Sequence, residues 1–176
     1  MPEGAPGLGA VARVIRETAP EWAVLKPSWF MQNFTGSHPH ARTAREEGAL
    51  YTATGGGRVA FIDAADIAEV GARALVDARA PNDALVLTGP EALSYDDVAR
   101  LLGRALGRDL RHVRVDEAEA KRRLVEQGIP DAYAALLVAL DVAIRGGAED
   151  RITDAVLRVT GRPPRRFADF LSATGR

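Results

Sequence analysis

The 176-residue sequence predicts an α/β fold in which part of a parallel sheet is followed by a mainly helical region. Three observations indicate this fold class. The apolar runs "EWAVLK" (21–26) and "ALVLTG" (84–89) have the length and composition of buried strands. Segments with helical periodicity separate these runs, which is typical of a layered α/β unit. From residue 116 onward, almost every segment has the periodicity and the stop signals of a helix.

The N-terminal region alternates helices and strands. Residues 8–19 carry apolar side chains at helical spacing, and Pro20 ends this helix just before the first strand. The polar segment 38–48 favours a second helix. A short extended piece, a glycine turn at 55–57 and a strand at 59–62 then continue the α/β pattern.

Two further helices begin at recognisable caps. Asp63 is placed to cap a helix over 63–78, and Ser94 is placed to cap a helix that Gly107 ends. The apolar stripe of the first of these helices consists of Ile67, Val70, Ala74 and Leu75.

The C-terminal region holds one more strand. The alternating segment "LRHVRV" predicts a half-buried strand, and the remainder is helical. One helix carries an apolar face, and we expect core packing to account for most of its residues. The face consists of Tyr133, Leu136, Leu137, Leu140 and Ile144. We therefore divide the chain into an α/β part, residues 1–90, and a mainly helical part, residues 91–176.

Composition excludes several classes of function. The net charge of -1 gives no reason to expect nucleic acid or an anionic membrane as a partner. The absence of cysteine removes disulfides, thiolate nucleophiles and cysteine metal sites. The N-terminus lacks the apolar core of a signal peptide, and no apolar run is long enough to span a bilayer. We expect a cytoplasmic protein.

The stretch "LKPSWFMQNFTG", residues 25–36, has the composition of a ligand pocket. It places aromatic and apolar side chains beside amides, just past a strand end, where small-molecule sites commonly lie. The alternative is that the aromatic side chains Trp29, Phe30 and Phe34 are core residues.

Four segments in this order carry a family resemblance: "WAVLKPSWFMQNF", "VAFIDAADIAEVGARAL", "LVLTGPEALSYDDVARLLGRALGR" and "VTGRPPRRFADFL". Together they resemble the C-terminal half of the NmrA-like family, which are atypical short-chain dehydrogenase/reductases. The resemblance implies that residues 1–90 are the second half of a Rossmann-like NAD(P)-binding domain with a partial parallel sheet. It also implies that residues 91–176 form a substrate-binding or lid region.

The resemblance further implies a site for hydride transfer from NADP or NAD to a small organic acceptor such as a quinone or imine. Pro27, Ser28 and Trp29 would lie beside the cofactor's reactive end. The side chains that would face the substrate are Phe30, Met31, Asn33, Phe34 and Tyr133. A dry apolar slot suits this chemistry because the cofactor supplies the reactive group.

The family's phosphate-binding half has no counterpart here. "GAPGLGA" offers Gly4, Gly7 and Gly9, but no strand precedes it and its spacing is not that of a dinucleotide loop, so we interpret it as the start of a helix. No tyrosine is followed four residues later by lysine, so we name no catalytic acid. Binding of a dinucleotide by this chain alone is therefore doubtful.

Several polar side chains could have either a functional or a structural role. Asp63 and Asp66 are either paired acid/base carboxylates or capping residues, and the helix start favours capping. His38 and His40 could contact a metal, but no third ligand is evident, so we expect no metal site. His112 lies in the alternating strand, where a half-buried structural role is expected. A terminal turn carries three arginines, Arg162, Arg165 and Arg166, which could contact a phosphate, but exposure to solvent is the simpler explanation.

Two alternatives to an enzyme formed by this chain alone stay open. The missing acid and phosphate loop are compatible with a non-catalytic module that senses a cofactor or binds a protein. An incomplete parallel sheet also leaves an exposed edge. A second copy of the chain or a separate N-terminal half could cover that edge, which would make the chain part of an oligomeric or split enzyme.

Overall fold

Residues 8–174 are described by a computed structural model, and helices alternate with short strands along them. The helices are α1 (Leu8–Thr18), α2 (Pro39–Glu46), α3 (Ala64–Val76), α4 (Tyr95–Leu106), α5 (Glu117–Glu126), α6 (Asp131–Arg145), α7 (Ala155–Thr160) and α8 (Phe167–Thr174). The strands are β1 (Ala23–Pro27), β2 (Ala49–Thr52), β3 (Arg58–Val59), β4 (Asp83–Leu87), β5 (Leu93–Ser94) and β6 (Arg111–Arg114). A short 3-10 helix spans Met31–Phe34.

The strands form three pairs within the described residues. β1 pairs in parallel with β4, with Ala23 opposite Asp83 and Pro27 opposite Leu87. β2 pairs in parallel with β6, and the short β3 and β5 pair in antiparallel fashion. The prediction of an α/β fold with a partial parallel sheet is confirmed. The division at residue 90 stays a prediction, and the β2–β6 pair joins strands from both sides of it.

The predicted caps are present and explain where the helices begin. The Asp63 side chain accepts a hydrogen bond from the N–H of Ala65 at the start of α3. Ser94 and Asp97 form a reciprocal capping box at the start of α4, in which each side chain bonds the other residue's backbone N–H. Gly107 ends α4 in the left-handed conformation, with φ 64°.

The main core is an aromatic cluster around Phe34. Its ring lies 5.3 Å from Phe61, 5.4 Å from Phe167 and 6.1 Å from Tyr95, each at a steep angle. A second cluster fills the space between the β1–β4 pair, α3 and α7, and includes Val70. The second cluster contains Leu85 and Leu87 of β4, and Leu25 of β1 packs against it, so it holds the two parallel strands in place.

Two predicted apolar stripes are wrong in part. Leu75 at the end of α3 is 86% exposed, whereas Val70 is fully buried. On α6, Tyr133, Leu136 and Leu140 are 53%, 52% and 40% exposed, so core packing does not explain them. The buried residues of α6 are Ala134, Val138 and Ile144, so Ile144 is the one fully buried residue of the predicted stripe and the helix packs through the small side chains beside it.

None of the helices within residues 8–174 is long and apolar enough to cross a membrane.

Candidate functional site

A cavity of about 540 Å³ lies beside β1, between its side chains and helix α1. Its apolar lining comprises Gly9, Val11, Ala12, Ile15, Ala23, Val24, Leu25, Pro27, Ala84 and Leu140. Its charged lining comprises Arg16, Lys26, Glu149 and Arg151. An apolar cavity with a few charged groups at its border is the usual form of a small-molecule site.

The loop after α6 closes this cavity at the carboxyl end of β1. Ser28 is 8% exposed, and its hydroxyl donates a hydrogen bond to Glu149 Oε2 over 3.2 Å. Thr153 anchors the same loop to the end of β4, since its N–H donates to Thr88 Oγ1 over 2.9 Å and its hydroxyl donates to the carbonyl of Val86 over 2.6 Å. The carboxyl ends of both parallel strands are thus held against one loop.

The structure places one of the three predicted cofactor residues, Pro27, in the lining of this cavity. Ser28 does not line it, but its hydroxyl bonds Glu149, which does. Trp29 lies past the strand end, where its backbone carbonyl accepts from the N–H of Ile62 over 2.9 Å and its side chain packs against the main core. Contact of these residues with a cofactor stays a prediction.

Met31 and Phe34, predicted to face substrate, lie inside the main core. They are 0% and 5% exposed, and Phe34 stacks on His40 with ring centroids 5.6 Å apart. For Phe34 this is the core position that was the stated alternative, and Met31 lies in the same cluster. Neither residue lines the cavity beside β1.

The other predicted substrate residues are accessible. Phe30 is 39% exposed and Tyr133 is 53% exposed. Asn33 is half-buried, and its side-chain amide makes no hydrogen bond within residues 8–174. Substrate contact by these three residues stays a prediction, and the structure does not bring them into the cavity beside β1.

Asp63 and Asp66 have structural partners. Asp63 is 2% exposed, accepts from Gln32 Nε2 over 2.7 Å, and forms an ion pair with Arg165 over 2.7 Å. Asp66 accepts from the backbone N–H of Arg165 over 2.8 Å, and burial raises the pKa of its carboxyl. Both carboxylates therefore fasten the C-terminal turn to the start of α3.

The histidines are also held by structural contacts. His38 Nδ1 accepts from the N–H of His40 at the start of α2, and burial lowers the pKa of His40 to about 3. His112 Nε2 lies 2.8 Å from Thr52 Oγ1. No group of three or more histidine, aspartate or glutamate side chains in residues 8–174 is arranged to hold a metal ion.

The arginines of the C-terminal turn are paired with carboxylates. Arg162 lies 3.6 Å from Glu69, and Arg166 lies 3.4 Å from Glu91. With the Arg165 ion pair, all three side chains connect the turn to other parts of the fold.

The described residues fit only one end of a dinucleotide. The apolar wall that includes Pro27 and the buried Ser28 hydroxyl suit the flat nicotinamide end. No glycine loop joins a strand to a helix N-terminus next to the cavity within residues 8–174, so the pyrophosphate end has no cradle there. Gly4 and Gly7 of "GAPGLGA", the segment considered above as a phosphate loop, lie outside the described residues.

Sequence reasoning missed Glu149, Arg151 and Thr153. Glu149 bonds Ser28 from 121 residues away, and Thr153 bonds Thr88 from 65 residues away. Local patterns carry no signal for such contacts, because the segment "AEDRIT", residues 148–153, indicates only a polar loop between two helices.

The sequence matches the NmrA-like family over residues 10–151. It is 45% identical over 171 residues to an uncharacterised oxidoreductase of Bacillus subtilis, which covers 97% of this chain and 59% of that protein. It is 43% identical to an agroclavine dehydrogenase of Claviceps fusiformis, covering 97% of this chain and 60% of that protein. An NAD(P)H azoreductase of Xenophilus azovorans is 36% identical, over 94% of this chain and 57% of the relative.

The fold is similar to two solved structures at low sequence identity. An NADPH-dependent quinone oxidoreductase of Escherichia coli superposes with a TM-score of 0.84 at 23% identity, covering 95% of this chain and 60% of that one. The triphenylmethane reductase of Citrobacter sp., complexed with NADP(H), gives a TM-score of 0.82 at 23% identity, covering 93% and 57%. The chain thus spans about three fifths of the length of the relatives it matches, and it belongs to the NmrA-like family.

Proposed function

We propose that this chain forms the nicotinamide-side wall and part of the lid of an NAD(P)H-dependent oxidoreductase. The acceptor would be a flat organic molecule such as a quinone or imine. Relatives at 43% and 36% identity are an agroclavine dehydrogenase and an NAD(P)H azoreductase, which supports reduction by a nicotinamide cofactor.

The observation that carries this proposal is the position of Pro27 and Ser28. They lie at the carboxyl end of a parallel strand, where ligands of α/β sheets bind, and Pro27 lines a cavity that is mainly apolar. Ser28 is held there by Glu149, so the end of the strand has a defined position relative to the cavity. Positioning of this kind is what hydride transfer requires from the protein.

NAD(P)H, when bound, supplies the hydride. The chain's own contribution is to bind the flat ring against the apolar wall at Val24 and Pro27 and to exclude water from it. Asn33 does not line this cavity, and we propose that its amide, which makes no hydrogen bond within the described residues, orients an acceptor that extends beyond the cavity.

The proposal is tested by titrating the purified chain with NADPH and NADH, with cofactor fluorescence and protein melting recorded together. Saturable binding, with oxidation of the cofactor on addition of a quinone, would support the proposal. Ser28→Ala removes the hydrogen bond to Glu149 that positions the end of β1. It should weaken cofactor binding about fivefold, because one hydrogen bond contributes about 1 kcal/mol. Ser37→Ala is the matched control, since Ser37 is exposed and does not line the cavity.

Two results would change the assignment. Binding without turnover of quinone or imine acceptors would favour a non-catalytic cofactor-sensing module. Absence of binding by either nucleotide, with a cooperative melt intact, would contradict cofactor binding by this chain.

A further inference from the structure

A second depression lies at the C-terminal end of α4 and has a volume of about 630 Å³. Three exposed arginine side chains line it, Arg100, Arg104 and Arg108, together with the carboxylate of Asp109. Leu110 is the one large apolar side chain in its lining within residues 8–174. None of these residues lines the cavity beside β1, so the two features are separate. A lining of this composition suits a charged ligand and not an apolar ring.

The chain folds back at the end of α4 and brings Arg108 to the side of the helix. A spacing of four residues places Arg100 and Arg104 on one helix face, but Arg108 follows Gly107, where the helix has ended. Gly107 is left-handed, and the N–H of Arg108 donates to the carbonyl of Gly103 over 3.0 Å. A Cβ on Gly103 would lie 2.8 Å from the carbonyl oxygen of Arg108, so glycine permits this close approach. The turn therefore places the third arginine beside the other two.

Two of the three guanidinium groups are held in place, and the third is free. Arg100 Nη2 donates to Asp97 Oδ1 over 2.6 Å, and Arg108 Nη1 donates to the carbonyl of Arg45 over 2.7 Å. The Arg104 side chain makes no hydrogen bond or ion pair within residues 8–174. A guanidinium group carries five N–H donors, so the two oriented groups keep donors to spare. The depression therefore offers several unused donors from three directions.

The dipole of α4 explains one of these arginines and not all three. A cation in the last turn of a helix compensates the partial negative charge of the free carbonyls, and Arg104 lies in that turn. Arg100 lies one turn earlier, and Arg108 lies beyond the cap. The lining holds an excess of positive charge, because Asp109 is its one carboxylate within the described residues. A concave surface concentrates the field of such charges on a bound anion.

We propose that this depression, which we name the arginine site, binds a phosphate group. Guanidinium groups match the oxygens of a phosphate with two parallel hydrogen bonds, and such charge-assisted bonds are stronger than neutral ones. Arg104 offers its whole fork, while Arg100 and Arg108 donate from the two sides. The phosphate is either the free ion or the ester of a small molecule, since a volume of about 630 Å³ has room for the rest of an ester.

The experiment titrates the ¹⁵N-labelled chain with inorganic phosphate and, separately, with glycerol phosphate, while sodium chloride keeps the ionic strength constant. The Nε–H resonances of the arginine side chains locate the ligand. We expect saturable shifts at Arg100, Arg104 and Arg108 with both ligands. Tighter binding of glycerol phosphate would identify an ester as the ligand of the arginine site, and equal or weaker binding would identify the free ion.

A matched pair of substitutions tests the arginine site without touching the core. Arg104→Gln should weaken phosphate binding about tenfold, because it removes charge-assisted hydrogen bonds to the anion. Arg79→Gln is the control and should leave the affinity unchanged. Arg79 is also exposed and has no side-chain partner within the described residues, but it does not line the depression. Both variants remove one positive charge, so the net charge of the two proteins is equal.

Three outcomes would overturn the proposal. The first is that sodium chloride alone, at the same ionic strength, produces the same shifts as phosphate. The second is an equal loss of affinity in Arg104→Gln and Arg79→Gln, which would indicate general attraction to positive charge. The third is no saturable shift at the three arginines while the chain melts cooperatively. None of the titrations contains a nicotinamide nucleotide, so a failure of the arginine site is distinguishable from a failure of the proposed function.

Discussion

Replacing Asp141 by asparagine is expected to change how the stability of the fold depends on pH. Asp141 lies on α6, and its Oδ2 accepts from the backbone N–H of Ala53 over 2.9 Å. Burial raises the pKa of its carboxyl to about 6, while the hydrogen bond from Ala53 acts in the opposite direction. The ordinary pKa of this carboxyl is 3.8.

The sign follows from the raised pKa. The folded state holds the proton of Asp141 more tightly than the unfolded chain, so the stabilisation is complete below pH 3.8 and is lost as the pH rises through about 6. A difference of about two pKa units, at 1.36 kcal/mol each, amounts to roughly 3 kcal/mol. Asparagine keeps an oxygen for the N–H of Ala53 and carries no charge. Asp141→Asn should therefore be more stable than the wild type at pH 8, by up to about 3 kcal/mol.

The assay is urea denaturation of both proteins between pH 4 and pH 8, with the difference in unfolding free energy plotted against pH. Groups that titrate in both proteins, including the histidines, cancel in that difference. Asp131→Asn on the same helix is the control, because the Asp131 side chain is 74% exposed. A difference for Asp141→Asn that is equal at pH 4 and pH 8 would refute the reasoning.

Three further outcomes are expected. Phe34→Ala should lower the unfolding free energy by about 3–5 kcal/mol, measured by urea denaturation, because Phe34 is the centre of the aromatic cluster; a loss under 1 kcal/mol would contradict that placement. Gly89→Ala should lower the melting temperature, since its Cβ would lie 1.9 Å from the carbonyl oxygen of Phe61, whereas Gly56→Ala, with open space around it, should not. The low pKa of His40 means that it contributes stability above pH 6.5 that is lost as the pH falls toward 3; His40→Phe should reduce this acid sensitivity in melts between pH 7 and pH 4, and an unchanged pH profile would count against it.

Local patterns in the sequence determined where most elements begin and end. Pro20, Asp63, Ser94 and Gly107 act within one turn of their own position, so their effects can be predicted without knowledge of the fold. The two apolar runs that became β1 and β4 could be identified as buried strands for the same reason. The order of four family segments then indicated the NmrA-like family.

Tertiary structure decided which side of each element is covered. Helical spacing placed Val11 and Leu140 on apolar faces, but whether a face is buried depends on what packs against it, and here both are exposed beside β1. In the same way, Met31 and Phe34 are residue types that commonly line pockets, but in the fold they lie in the core.

The candidate site also depended on distant contacts. The stretch 25–36 could be predicted to end a strand, but Glu149 meets Ser28 only because the loop after α6 returns to the carboxyl end of β1. Sequence determined the elements because caps and periodicity are local. Only the fold decided the site, because burial and charge pairing arise between residues that are far apart in the chain.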